Sequence, residues 1–186
     1  MLTTIRTRVQ ARRERHAARD RYDKHANFYG KLLSATDYTN RSIRISNLSM
    51  LVYTAHEMAK ECRTFDNKRF DNNGFTPEQW HRHEASLFLL VLAAEEHDFS
   101  EVELDEVAHE LWLEPAISSI LGDMSLLDDR DLKHKAHLLL RLCDEAAPHV
   151  GGQAVETIAA LAHVYYTSAG LTNKEAHALV WGKQAA

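Results

Sequence analysis

Histidine is the residue type whose abundance first suggests chemistry. Twelve of the 186 residues are His, and neutral imidazole is both the commonest metal ligand and a proton carrier near neutral pH. Spacing then selects among them. Glu106 and His109 stand three apart, as do His134 and His137, and on a helix such pairs face one side. A Glu-x-x-His pair on each of two helices, with two further Glu, builds a di-iron site inside a bundle. Glu106 and His109 make such a pair; Glu84 and Glu156 could complete a set, but nothing in the sequence brings them together. His134 and His137 fall in the charged stretch DDRDLKHKAH, which reads as a solvated helix face.

A second metal chemistry needs a His, then an adjacent His-Asp, then a later Asp on helices around the ion, as in the HD-type phosphohydrolases. His97-Asp98 supplies the dipeptide, with His81 or His83 upstream, but it lies in an expected turn rather than within a helix. His109-Glu110 is better placed and carries the wrong acid. Nucleophilic catalysis has no G-x-S-x-G elbow to support it, and glycine cradles for nucleotides of the Walker or G-x-G-x-x-G kind are missing from the sequence. Cys62 and Cys143, 81 residues apart and outside any C-x-x-C spacing, read as reduced, packed thiols of a cytoplasmic protein.

The elements that must position these residues are helices. With 45% hydrophobic and 26% charged residues the composition is that of a globular domain, and 7 Gly and 3 Pro are too few for the turns of a β-sandwich or barrel. The fold class expected is all-α: a single compact bundle of about seven or eight helices with an extended basic N-terminal helix. Residues 1–75 form an N-terminal arm and hairpin in this reading, and 76–186 the main bundle. The first helix covers about Thr3 to Leu33. A second carries Ile43, Leu48, Leu51, Val52, Ala55, Met58, Ala59 and Cys62 at three- and four-residue steps and ends near Phe65.

The string DNKRFDNNGF over 66–75 is the clearest loop. Thr76-Pro77-Glu78-Gln79 opens the next helix with a capping box and a proline at its first position. That helix is apolar nearly all round at Leu87 to Leu92 and belongs at the centre of the body. Ser100 with Glu103, and Thr172 with Glu175, form two further capping boxes; Pro115 starts a helix to about Leu121; Asp128, Asp129 and Asp131 crowd the start of another; Pro148, Gly151 and Gly152 break that one. The three Trp, Trp80, Trp112 and Trp181, lie near helix ends and are read as packing residues.

Charge divides the chain. Residues 1–25 carry seven Arg and one Lys against three acids, a net +5, so the remainder sums to −10 within an overall −5. Arg8, Arg12, Arg15 and Arg19 follow one another at four, three and four residues, a cationic stripe along one helical face. Such a stripe suits an acidic protein surface, including a second copy of this chain, or a phosphate backbone reached through residues 1–25. Few aromatic residues accompany it, which disfavours a single-strand binder. The longest uncharged apolar run, Ala85 to Ala94, is too short to span a bilayer, and the Arg-rich start lacks the apolar core of a secretory signal, so neither membrane insertion nor export is expected.

One internal similarity remains. Shifting residues 87–108 by 72 positions aligns Phe99 with Leu171, Ser100 with Thr172, Glu103 with Glu175 and Val107 with Leu179: each half is a buried helix, a turn, an apolar plug, a capping box and a second helix. Over about residues 80–184 this pattern resembles the TerB-like helical domains first named for tellurite resistance. The resemblance implies an all-α scaffold for protein complexes, associated with stress or phage response, with acids clustered at the turns around a divalent cation. At the corresponding turns stand Glu96-His97 and Ser168-Ala169, so the first keeps an acid and the second has lost it. Glu96, Asp98 and Glu103, with Glu106 and His109, are then the candidate ligands of a divalent metal, the one cofactor entertained.

These readings favour a non-enzymatic protein-interaction module, an adaptor, regulator or inhibitor acting through helical surfaces and the stripe of Arg8, Arg12, Arg15 and Arg19, with homo-oligomerisation through the same surfaces. The alternative is a metal-dependent hydrolase of HD type or another His/carboxylate metal protein.

Overall fold

A computed structural model describes residues 2–35, 40–64, 76–96, 101–128 and 130–182. Eight helices account for nearly all of them: α1 (Leu2–Ala35), α2 (Arg41–Thr64), α3 (Pro77–Glu96), α4 (Glu101–Leu113), α5 (Pro115–Leu126), α6 (Leu132–Ala146), α7 (Gly152–Ser168) and α8 (Asn173–Trp181). No strand occurs among the described residues, as the shortage of Gly and Pro implies. No helix among them is long and apolar enough to cross a membrane.

The centre is α3. Leu87, Phe88, Leu89, Val91, Leu92, Ala93 and Ala94 are all buried, because α3 is packed against α2, α4, α5 and α7 at once. Its start is fixed as the sequence requires. The Thr76 amide donates to Gln79 Oε1 at 2.7 Å and the Gln79 amide to Thr76 Oγ1 at 3.2 Å, with Pro77 opening the first turn.

α2 packs along α3 through Ile45, Leu48, Leu51, Val52, Ala55, Met58, Ala59 and Cys62, whereas Ile43, the first apolar residue of that series, lies outside at 43% exposure. A polar tie pins the pair. Buried Arg44 donates from Nη2 to the Ala94 carbonyl at 2.8 Å, joining the start of α2 to the end of α3.

α1 behaves as two segments. Residues 7–17 are exposed throughout, and packing begins at Ala18, Tyr22 and Tyr29, which fall on one face and meet α2. Arg21 grips Glu61 with both nitrogens, Nε to Oε1 at 2.5 Å and Nη2 to Oε2 at 2.8 Å. Further along, the Tyr29 ring meets Trp80 edge-on with centroids 5.6 Å apart, and its hydroxyl hydrogen-bonds His83 Nε2.

α5 runs to Leu126, past the end near Leu121 expected for it, since Met124 continues the buried series Ile117, Ile120, Leu121. α6 and α7 form a hairpin across the turn 147–151. At its far side Gly151 lets Glu95 of α3 approach: a Cβ at Gly151 would lie 2.6 Å from Glu95 Cγ and Oε1, and that carboxylate accepts from the Gln153 amide at 3.4 Å. Glu95 thus caps α7 from another helix. α7 ends through Gly170, whose φ of +96° is the left-handed turn, and α8 begins on the complete Thr172–Glu175 capping box. The loop 66–75 and the Ser100 half of the remaining box lie outside the described residues.

Candidate metal centre

Inside this bundle five polar side chains share a buried space. His56 comes from α2, His81 and Glu84 from α3, Lys135 from α6 and Tyr165 from α7, and every one of them is at most 3% exposed. Each sits where helical periodicity calls for an apolar residue. His56 follows Val52 and Ala55 and precedes Ala59; Glu84 and His81 share the face of Ala85 and Phe88; Lys135 adjoins Ala136 and Leu139; Tyr165 continues Ile158, Leu161 and Ala162. The packing of four helices therefore brings all five together.

Glu84 is the hub. Its Oε2 accepts from Lys135 Nζ at 2.8 Å and lies 3.1 Å from His81 Nδ1; its Oε1 accepts from the Tyr165 hydroxyl at 2.5 Å and lies 3.3 Å from His56 Nδ1. Lys135 Nζ is also 3.0 Å from His81 Nδ1. Two imidazole nitrogens remain without a hydrogen-bond partner in this enclosed space, His81 Nε2 and His56 Nδ1, the latter near Oε1 but outside bonding angle. Buried nitrogens left in that state are costly unless a ligand takes their lone pair or proton.

Electrostatics sets the protonation. Burial alone would raise the Glu84 carboxyl, but the Lys135 ammonium and His56 outweigh it and hold the group well below the usual carboxylate range. Burial, helped by the Lys135 charge and opposed by Glu84, pushes His81 down, so it is neutral at pH 7. Burial and the Glu84 charge push the Tyr165 hydroxyl well up, and it stays a donor.

A carboxylate flanked by two imidazoles is a metal-ligating set. One donor atom from each of His56, His81 and Glu84 falls within 4.8 Å of the other two. Two His and one Glu leave a fourth position for water, the composition of catalytic rather than closed structural sites. A sulfur-free set of imidazole and carboxylate suits a divalent transition metal.

This finding corrects the expectation of a non-enzymatic chain. That expectation rested on helices burying only apolar sides against each other, and here they bury a convergent His/His/Glu set that could bind a metal and catalyse. The candidate metal ligands named from the sequence lie elsewhere. Glu106 and His109 are exposed on α4 and Glu103 is half-buried there; Glu96 is the last residue of α3, its side chain outside the described residues, as is Asp98 with His97. Of the two acids considered for completing a set, Glu84 is the hub and Glu156 is exposed on α7; of the two upstream histidines, His81 is in the centre and His83 bonds Tyr29. Sequence reasoning missed His56, Lys135 and Tyr165. Their signal was a polar residue interrupting the buried stripe of a strongly periodic helix, not a short ligand spacing.

Arg8, Arg12, Arg15 and Arg19 are exposed on α1. Cys62 and Cys143 are buried free thiols, as their spacing suggests. No family model, no curated protein and no solved structure matches the chain.

Proposed function

We propose that the protein is a His/carboxylate metal protein, with a divalent transition-metal ion held by His56, His81 and Glu84, and that its chemistry is metal-assisted hydrolysis. The observation that carries this is the convergence itself: three ligand-type side chains from two helices, fully enclosed, with one donor atom of each within 4.8 Å of the others, and with imidazole nitrogens that nothing else satisfies. A metal ion there would supply an activated water at its open position. The chain's own residues support such a step. Neutral His81 offers a lone pair, ionised Glu84 offers charge, and Tyr165 and Lys135 hold protons beside the carboxylate.

Lys135 also defines the cost of loading. Its ammonium is the present counter-charge of Glu84, so a divalent ion must replace it there. Purified protein titrated with Zn2+ and Mn2+ and followed by calorimetry and elemental analysis is expected to bind one ion. His56→Ala and His81→Ala should lose it, and Lys135→Met should bind more tightly. Failure of the wild type to take up any stoichiometric ion, or uptake indifferent to both histidines, would refute the reading. A panel of phosphoesters and carboxyl esters assayed with the loaded protein tests the hydrolytic part.

The exposed stripe of Arg8, Arg12, Arg15 and Arg19 on α1 supports a second role as the contact for an acidic protein partner. The TerB-like resemblance supports the same assignment. Deletion of residues 1–17 with unchanged mass in solution and unchanged partner capture would remove it.

A further inference from the structure

A second site is built on the outer side of α6. Where the first turn of α6 faces the end of α7 and the face of α8, an open cavity of about 820 Å³ is lined by Arg130, Lys133, His134, His137, Tyr166 and Ser168. Its volume lies within the range of small-molecule pockets, about 300–1,000 Å³. Its polar lining is biased toward donors. Two fixed cations and two imidazoles stand against one carboxylate, Asp131, on a body whose residues 26–186 are net acidic.

Three features prepare this cavity for an anion. The first turn of α6 carries amides that no side chain caps, because the Asp131 carboxylate at the N-cap is turned to the Asp128 amide at 3.3 Å. Tyr166 is 4% exposed, and its hydroxyl has no hydrogen-bond partner among the described residues, although the side chain borders the cavity. The negative end of α7 is neutralised internally. Ala169, Leu171 and Gly170 amides take up the carbonyls of Tyr165, Tyr166 and Thr167, so those oxygens do not face a ligand unpaired.

We infer that this groove binds a small phosphomonoester, with the phosphate held by Arg130, Lys133, the opening amides of α6 and the Tyr166 hydroxyl, and the organic part in the remaining volume. A phosphate dianion matches this donor set, since it accepts from amides, guanidinium and phenol together. The volume exceeds what a bare phosphate fills. The site is separate from the metal centre: Lys135 and Tyr165 turn inward where Lys133, His134 and Tyr166 turn to the groove.

Amide NMR spectra of the full chain, titrated at constant ionic strength with inorganic phosphate, with AMP and with adenosine, test it. Saturable shifts of residues 132–134 and 166–169 by phosphate and AMP, and none by adenosine, are expected. Tighter binding of AMP than of inorganic phosphate identifies an organic phosphate as the ligand; equal binding identifies the free ion and overturns the phosphomonoester assignment. Lys133→Glu and Arg130→Glu should each weaken binding about tenfold or more and Tyr166→Phe about threefold, as expected for charged and neutral hydrogen bonds to a phosphate. Arg130 and Lys133 are exposed, so these variants keep the fold, and a thermal melt checks that. His56→Ala leaves the shifts unchanged. No saturable shift, or shifts indifferent to both charge reversals, overturns the inference.

Discussion

Replacing Glu84 by Gln tests whether the buried cluster is held by charge. The amide keeps the volume and one acceptor, but it removes the only carboxylate within reach of Lys135 among the cluster residues and points hydrogens where Nζ now donates at 2.8 Å. A buried ammonium without its partner costs about 3–5 kcal/mol. For a chain of this length each kcal/mol lowers Tm by about 2–4 °C, so a fall of roughly 6–20 °C is expected. Thermal and urea unfolding followed by circular dichroism, with chelator present so that bound metal cannot contribute, gives both quantities. Lys135→Met alone should also destabilise, since Glu84 must then be buried without the ammonium that faces it. The double variant removes both charges and should recover most of the loss, with a coupling of at least about 2 kcal/mol. If Glu84→Gln lies within about 1 kcal/mol of wild type, or the two losses simply add, Glu84 and Lys135 do not depend on each other and the reasoning fails.

Gly151→Ala should cost about 1–3 kcal/mol, because its Cβ would meet Glu95 at 2.6 Å, and Glu95→Ala should relieve most of that penalty in a double variant measured by urea unfolding. Cys62 and Cys143, whose thiols burial pushes up to about 12, should be silent to a thiol reagent in the native protein at pH 8 and react as two equivalents in denaturant. Thr172→Ala should lower stability by about 1 kcal/mol through loss of the α8 cap. Glu78 and Glu175 are held below the ordinary carboxyl value of 4.5, Glu78 chiefly by the backbone at the start of α3 and Glu175 by Thr172. Folding lowers both, so their stabilisation is present above about pH 4.5 and fades as pH falls through the folded values, which helix content at pH 3 and pH 6 will show.

The helices were legible because each carries its own local instructions. Thr76-Pro77 and Thr172–Glu175 start helices by bonds within four residues, and the apolar stretch from Leu87 to Leu92 announces the central position of α3. The centre was not legible in the same way. Only His81 and Glu84 are neighbours in sequence; Lys135 lies 51 residues from Glu84 and Tyr165 lies 81 from it, and the register of α6 and α7 against α3 decides that they meet. Short ligand spacings pointed instead to Glu106 and His109, which solvent surrounds. The groove on α6 shows the opposite error of scale. His134 and His137 do lie on an exposed face, yet the end of α7 folds over that face and turns it into one wall of a cavity.

The wide separation of Glu84 from Lys135 also constrains the order of assembly. A nascent chain that has made α2 and α3 still lacks the Lys135 ammonium, so burial of that carboxylate between α2 and α3 is expected to wait for α6. Deuterium is therefore expected to enter the middle turns of α3 in one concerted event rather than by fraying from its ends.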